Sequence, residues 1–146
     1  MKKLVGVLLA ISIALGILVT GAQDASAATC TLSGRTWSVD GPGSRGTVFG
    51  SGSATCDRNY AELNIKVWLQ AYTSGTGWVE LKGTFAKKTL HNTYTIYKQT
   101  SYSNCDVFYS PLTMRVKVHF RAWNAAGDLM QNMTAYPGQN QYNCAL

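Results

Sequence analysis

Apolar and polar residues alternate most cleanly between positions 61 and 72. Ala61, Leu63, Ile65, Val67, Leu69 and Ala71 fall on one side of an extended chain, with Glu62, Asn64, Lys66, Trp68, Gln70 and Tyr72 on the other. A period of two sustained over that length predicts a half-buried β-strand. Thr73-Ser74-Gly75-Thr76-Gly77 supplies turn formers and leads into residues 78 to 86, where Val79, Leu81 and Phe85 share a face, so a hairpin is predicted. The alternation returns at residues 113 to 123. Met114, Val116, Val118, Phe120 and Ala122 point inward there, and Arg115, Lys117, His119, Arg121 and Trp123 outward.

Weaker signals fill in the rest. Residues 93 to 99 are rich in Thr, Tyr and Ile and read as a strand, as do residues 129 to 135 after the turn Asn124-Ala125-Ala126-Gly127-Asp128. Residues 36 to 39 and 47 to 56 are further candidates, and Gly50-Ser51-Gly52 reads as a turn or bulge. No window after residue 28 carries a helical period. Short strands at this spacing, each with one polar face, predict an all-β domain: an antiparallel β-sandwich of about seven or eight strands.

The first 28 residues follow a different pattern. Lys2-Lys3, an apolar run over residues 4 to 18 and the small-residue site Ala25-Ser26-Ala27 form a secretory signal, cut before Ala28 or Thr29. The run is shorter than the roughly 20 apolar residues of a spanning helix. Thr29 precedes Cys30 where lipid attachment would need Gly or Ala, and Cys144-Ala145-Leu146 carries no hydrophobic tail. The expected product is a single secreted domain, residues 29–146, released to the extracellular space with no membrane association.

Export changes the meaning of the cysteines. Cys30, Cys56, Cys105 and Cys144 all follow the signal, and an even set in a small exported domain implies two disulfides. Pairing of neighbours is preferred among the three connectivities, Cys30 with Cys56 and Cys105 with Cys144. The spacings of 26, 49 and 39 residues contain no Cys-x-x-Cys knuckle, so neither a metal nor a cofactor is expected.

Charge points to a class of partner. The whole chain has a net charge of +6, and the mature part keeps 11 basic and six acidic residues for +5. Basic exported proteins meet anionic polymers, although such a charge also serves solubility. Residues two apart on a strand lie about 7 Å apart on one face, so Arg115, Lys117, His119 and Arg121 make a positive ladder ending at Trp123. If Lys66, Trp68 and Tyr72 share that side, cations and aromatic rings combine in one surface that could stack sugar rings beside phosphate or carboxylate contacts. The ordinary alternative is a solvated strand face, whose lysines and arginines guard against aggregation.

Catalytic signatures are sparse. The mature carboxylates are Asp40, Asp57, Glu62, Glu80, Asp106 and Asp128, placed beside cysteines or turns or on outward faces, where local hydrogen bonding is their usual role. No nucleophile elbow, zinc-protease helix or phosphate-binding glycine loop occurs. His91, His119 and a lysine could shuttle protons in a ribonuclease-like arrangement, but two histidines are weak support for it.

Three short features resemble the immunoglobulin pattern: Cys56, Trp68 twelve residues on, and Tyr142-Asn143-Cys144. Trp68 lies on the polar face of its strand and only two residues follow Cys144, so the resemblance extends to sandwich architecture and not to homology. The Met-Lys-Lys start, Ala-rich cleavage site and two-bridge β build resemble small secreted proteins of Gram-positive bacteria, a likeness of general build that implies no site residue. The expectation is a non-enzymatic binding protein for an anionic cell-wall polymer or polysaccharide, with a secreted protein target as the other partner class. A secreted antagonist, either a hydrolase inhibitor or an antibacterial toxin, is the alternative, and nucleic acid is disfavoured as a partner.

Overall fold

The computed structural model describes residues 29–38, 46–103, 105 and 111–144. The signal expected over residues 1–28, Asp40, Asp106 and the last two residues lie outside them. Seven strands account for the described chain: β1 (Cys30–Ser38), β2 (Val48–Thr73), β3 (Gly77–Glu80), β4 (Ala86–Tyr102), β5 (Leu112–Trp123), β6 (Leu129–Ala135) and β7 (Asn140–Tyr142). All pairings are antiparallel and join one sheet.

β2 organises the rest. In its first part the even positions Val48, Gly50, Gly52, Ala54 and Cys56 are buried; in its second the odd positions Leu63, Ile65, Val67, Leu69 and Ala71 are. The parity changes across Asp57, Arg58 and Asn59, all exposed, where pairing with β4 slips register between Thr55 and Tyr60. Here β2 places four residues, 56–59, against Tyr94 of β4, and an odd number of extra residues re-aims side chains and bends the strand, so the same core is faced from both parts. β4 follows β2 on one side through the bend, while β1 pairs with the first part of β2 and β5 with the second.

The outcome is one curled sheet, a half-barrel, where two separate layers were expected. Its halves meet at a row without side chains. A Cβ at Gly50 would lie 2.8 Å from Leu69 Cδ2 and 2.9 Å from Val116 Cγ2, and one at Gly52 2.6 Å from Val118 Cγ2. These two glycines are therefore the seat for facing leucine and valine side chains, and in place of the expected turn or bulge residues 50–52 pair in unbroken register with β1 and β4.

Closure at the far side uses backbone polarity. Thr36 Oγ1 donates to Gly138 O, Asn140 Nδ2 donates to Thr36 O at 3.2 Å, and Val116 N donates to Pro137 O at 3.1 Å. Gly138 has φ +69° and packs against the Arg35 and Thr36 backbone, where no side chain fits. Tyr142 is fully buried beneath this seam; burial pushes its phenol above the ordinary value, with Thr36 and Asn140 acting the other way.

Both disulfides join neighbours, as expected. Cys30–Cys56 links β1 to β2, and Cys105–Cys144 ties the segment between β4 and β5 to the chain after β7. The predicted strand over residues 78 to 86 is the main departure. β3 ends at Glu80 because Lys82-Gly83 turns, with Gly83 at φ +81°. Buried Thr84 then fixes the turn, accepting from Leu69 N at 3.1 Å and donating to Leu81 O at 2.7 Å. Leu81 joins the core, whereas Phe85 is 50% exposed. The strand expected over 93 to 99 extends to all of β4.

The glycine seat generates a stability contrast. Gly52→Val should lower unfolding free energy by about 1 to 3 kcal/mol, as overpacking does, while Gly75→Ala, with nothing within 4 Å of its Cβ, should be nearly neutral. Urea unfolding of both variants checks this, and equal effects would exclude a seat at residue 52.

Candidate binding surface

The outer face of the second half of the sheet is built from β4, β2, β5 and β6 in register. One rung runs Lys87, Lys66, His119, Thr134, and the next Thr89, Asn64, Arg121, Asn132. Further along, Trp68 stands opposite Lys117, and Gln70 lies between Glu80 and Arg115. The alternation in β2 and β5 fixes this: with Leu63, Ile65, Val67, Val116, Val118 and Phe120 inside, the residues between them face outward together. The two sequence patterns that were read separately thus form one surface.

All eight predicted surface residues share that side, in different states. Arg115 is held in place: its Nε donates to Gln70 Oε1 at 2.9 Å, and its guanidinium lies 4.0 Å from the Trp78 ring centroid and 4.3 Å from that of Tyr136. Lys117 Nζ is 2.7 Å from Glu80 Oε1 and 5.1 Å from the centre of the Trp68 ring. Trp68 packs on Phe85 with centroids 5.2 Å apart, and Tyr72 meets the edge of Trp78 at 5.5 Å. These contacts form an aromatic end of the surface in which Glu80 answers the charge of Lys117 and two rings flank that of Arg115.

The middle is different. His119 Nε2 and Arg121 Nε both donate to Asn132 Oδ1, at 2.9 and 3.4 Å, a neutral partner that leaves the guanidinium charge in place. Lys66 and Lys87 are directly opposed across β2 and β4, and neither has an ion-pair or hydrogen-bond partner among the described residues. Neighbouring strands lie about 4.8 Å apart, so two ammonium groups share one rung with an imidazole beside them. Like charges directly opposite destabilise a sheet. The carboxylates nearest in register are committed elsewhere, Glu80 to Lys117 and Glu62 to His91, whose Nδ1 lies 4.0 Å away.

Trp123 closes the other end beside a depression of about 340 Å³ that Glu62, His91 and Asn124 also line. His91 and His119 are separated by two strand spacings and four residues of β2, about 16 Å by strand geometry, too far to act on one phosphate. Asp57 accepts from Thr29 N at 3.2 Å and Asp128 from Asn124 Nδ2 at 2.9 Å, the local role expected of them. Among the described residues no three His, Cys, Asp or Glu side chains gather as metal ligands would.

Sequence reasoning missed Lys87, Trp78, Tyr136 and Asn132. The first lies on an edge strand that is polar on both faces, so no period marks it; the others become neighbours only through register. No protein-family model matches the chain, and no curated protein is significantly similar to it.

The opposed lysines make a measurable statement about stability. Lys87→Glu should raise unfolding free energy by about 0.5 kcal/mol at low ionic strength, with the gain fading at about 1 M salt. A denaturant midpoint that falls, or rises equally at both salts, would remove the repulsion from the account.

Proposed function

We propose that this chain is a secreted bacterial binding protein, without enzymatic activity, that engages an anionic cell-envelope or extracellular polymer through the outer face of β2, β4 and β5. The observation that carries this reading is the Lys87–Lys66–His119 rung with Arg121 in the next row: clustered cations, with two lysines opposed at a cost to the fold and no carboxylate within the rung. A ligand with repeating negative charges turns that cost into binding energy, because each phosphate or carboxylate placed between cations replaces repulsion with attraction. The aromatic end, with Trp68, Phe85 and Tyr72, gives sugar rings of such a polymer a place to stack. In this reading the two halves of the curled sheet act as the two layers of a β-sandwich, one of them carrying the site. Two disulfides are compatible with an oxidising, extracellular setting.

Arg115 and Lys117 position the aromatic end, while Lys66, Lys87 and Arg121 supply the contacts to the polymer. Co-sedimentation of the oxidised mature protein with purified Gram-positive cell walls tests the assignment. Binding is expected at low salt, to fall at least tenfold on moving to about 0.5 M salt, and to require the walls' anionic polymers. The triple variant Lys66→Glu, Lys87→Glu, Arg121→Glu should abolish it. Salt-insensitive binding, or full binding by the variant, would contradict the proposal.

A further inference from the structure

The first half of the curled sheet has its own outer face, directed away from Lys66 and Lys87, and its chemistry is different. Ser33, Ser53 and Tyr97 share one rung across β1, β2 and β4, and Arg35, Ser51 and Gln99 the next. The segments that build it, residues 31–37, 49–55 and 95–101, contain no Asp or Glu. Between these rungs lies a shallow depression of about 240 Å³.

Its groups are neutral hydroxyls flanked by one ring and one guanidinium. Ser33 Oγ and Ser53 Oγ are 2.7 Å apart and share a hydrogen bond. Tyr97 is 48% exposed, and its hydroxyl donates to Gln99 Oε1 at 3.2 Å, which holds the phenol over the edge of the depression. Arg35 lies over the Trp37 ring at 4.9 Å from its centroid. Ser51 lies at the floor of the depression. It is only 4% exposed and lines the depression, yet its hydroxyl has no hydrogen-bond partner among the described residues. A hydroxyl that faces the depression and is engaged by no protein group can both donate to and accept from a ligand.

We propose that this depression binds a ring of an uncharged saccharide. Such a ring carries an apolar face suited to Tyr97 and a rim of hydroxyls that can exchange hydrogen bonds with Ser33, Ser51 and Ser53, while Arg35 donates to its oxygens. A polyanion is a poor match: one guanidinium stands among neutral groups here, against the lysine rung on the other half. The inference is independent of the polymer-binding reading and adds a second site of opposite character.

The test uses the oxidised mature protein on a printed array of uncharged oligosaccharides, followed by titration of the best binder. Tyr97→Ala should weaken binding about tenfold by loss of stacking. Ser51→Ala should weaken it severalfold while leaving the thermal midpoint unchanged or higher, since the lost hydroxyl has no protein partner; a purely structural Ser51 would lower the midpoint and spare affinity. Neither substitution should alter salt-sensitive wall binding, which separates this site from the lysine rung. A silent array, or undiminished binding by Tyr97→Ala, would overturn the proposal. So would a concentration-dependent dimer lost in Tyr97→Ala, which would assign the face to a second copy of the chain.

Discussion

The change of phase within β2, across residues 57 to 60, is the constraint on which the remaining structure depends. In an unbroken 26-residue strand the even apolar positions of the first part and the odd ones of the second would face opposite sides. The irregularity between Thr55 and Tyr60 lets even positions before it and odd positions after it face a common core. Gly50 and Gly52 then bring the two parts close enough for Leu69, Val116 and Val118 to fill the space side chains would have taken. One sheet thereby does the work of two layers, and its two outer faces become independent surfaces.

Those surfaces differ because the strands that cross both halves change composition along their length. β4 offers Lys87, Thr89 and His91 to the second half and Thr95, Tyr97 and Gln99 to the first. On the charged half, exposed ion pairs such as Lys117 with Glu80 contribute at most about 1 kcal/mol, so charge there does little for stability. Lys66 opposite Lys87 works against the fold. A β domain with a buried core of this extent and two cross-links can carry that penalty, and under the proposed function an anionic ligand relieves it.

Much of this was legible in the sequence wherever a strand has one wet and one dry face. β5, the second part of β2, the turn at 124–128 and β6 follow directly from alternation and turn chemistry, and the order of the cysteines suggested the bridges. β4 was legible only in part because an edge strand with few buried residues has no period to read. β3 was overextended because the side chain of Thr84, a residue with good strand propensity, instead ties down a turn. The glycine pair was misread because an absent side chain leaves no mark except through what packs against it. For the surface, alternation placed Arg115, Lys117, His119, Arg121 and Trp123 with Lys66, Trp68 and Tyr72. Which charges are answered depends on register, and register depends on the bulge.

The most direct test of the central claim is a residue-by-residue map of where a polyanion touches the protein. Titration of isotope-labelled mature protein with a defined polyglycerol phosphate at low salt, followed through backbone amide shifts, supplies it. Changes concentrated at Lys66, Lys87, His119 and Arg121, reversed by added salt, are the predicted result. Changes concentrated on the Arg35 and Tyr97 face, spread evenly over the surface, or absent at saturating polymer would contradict it.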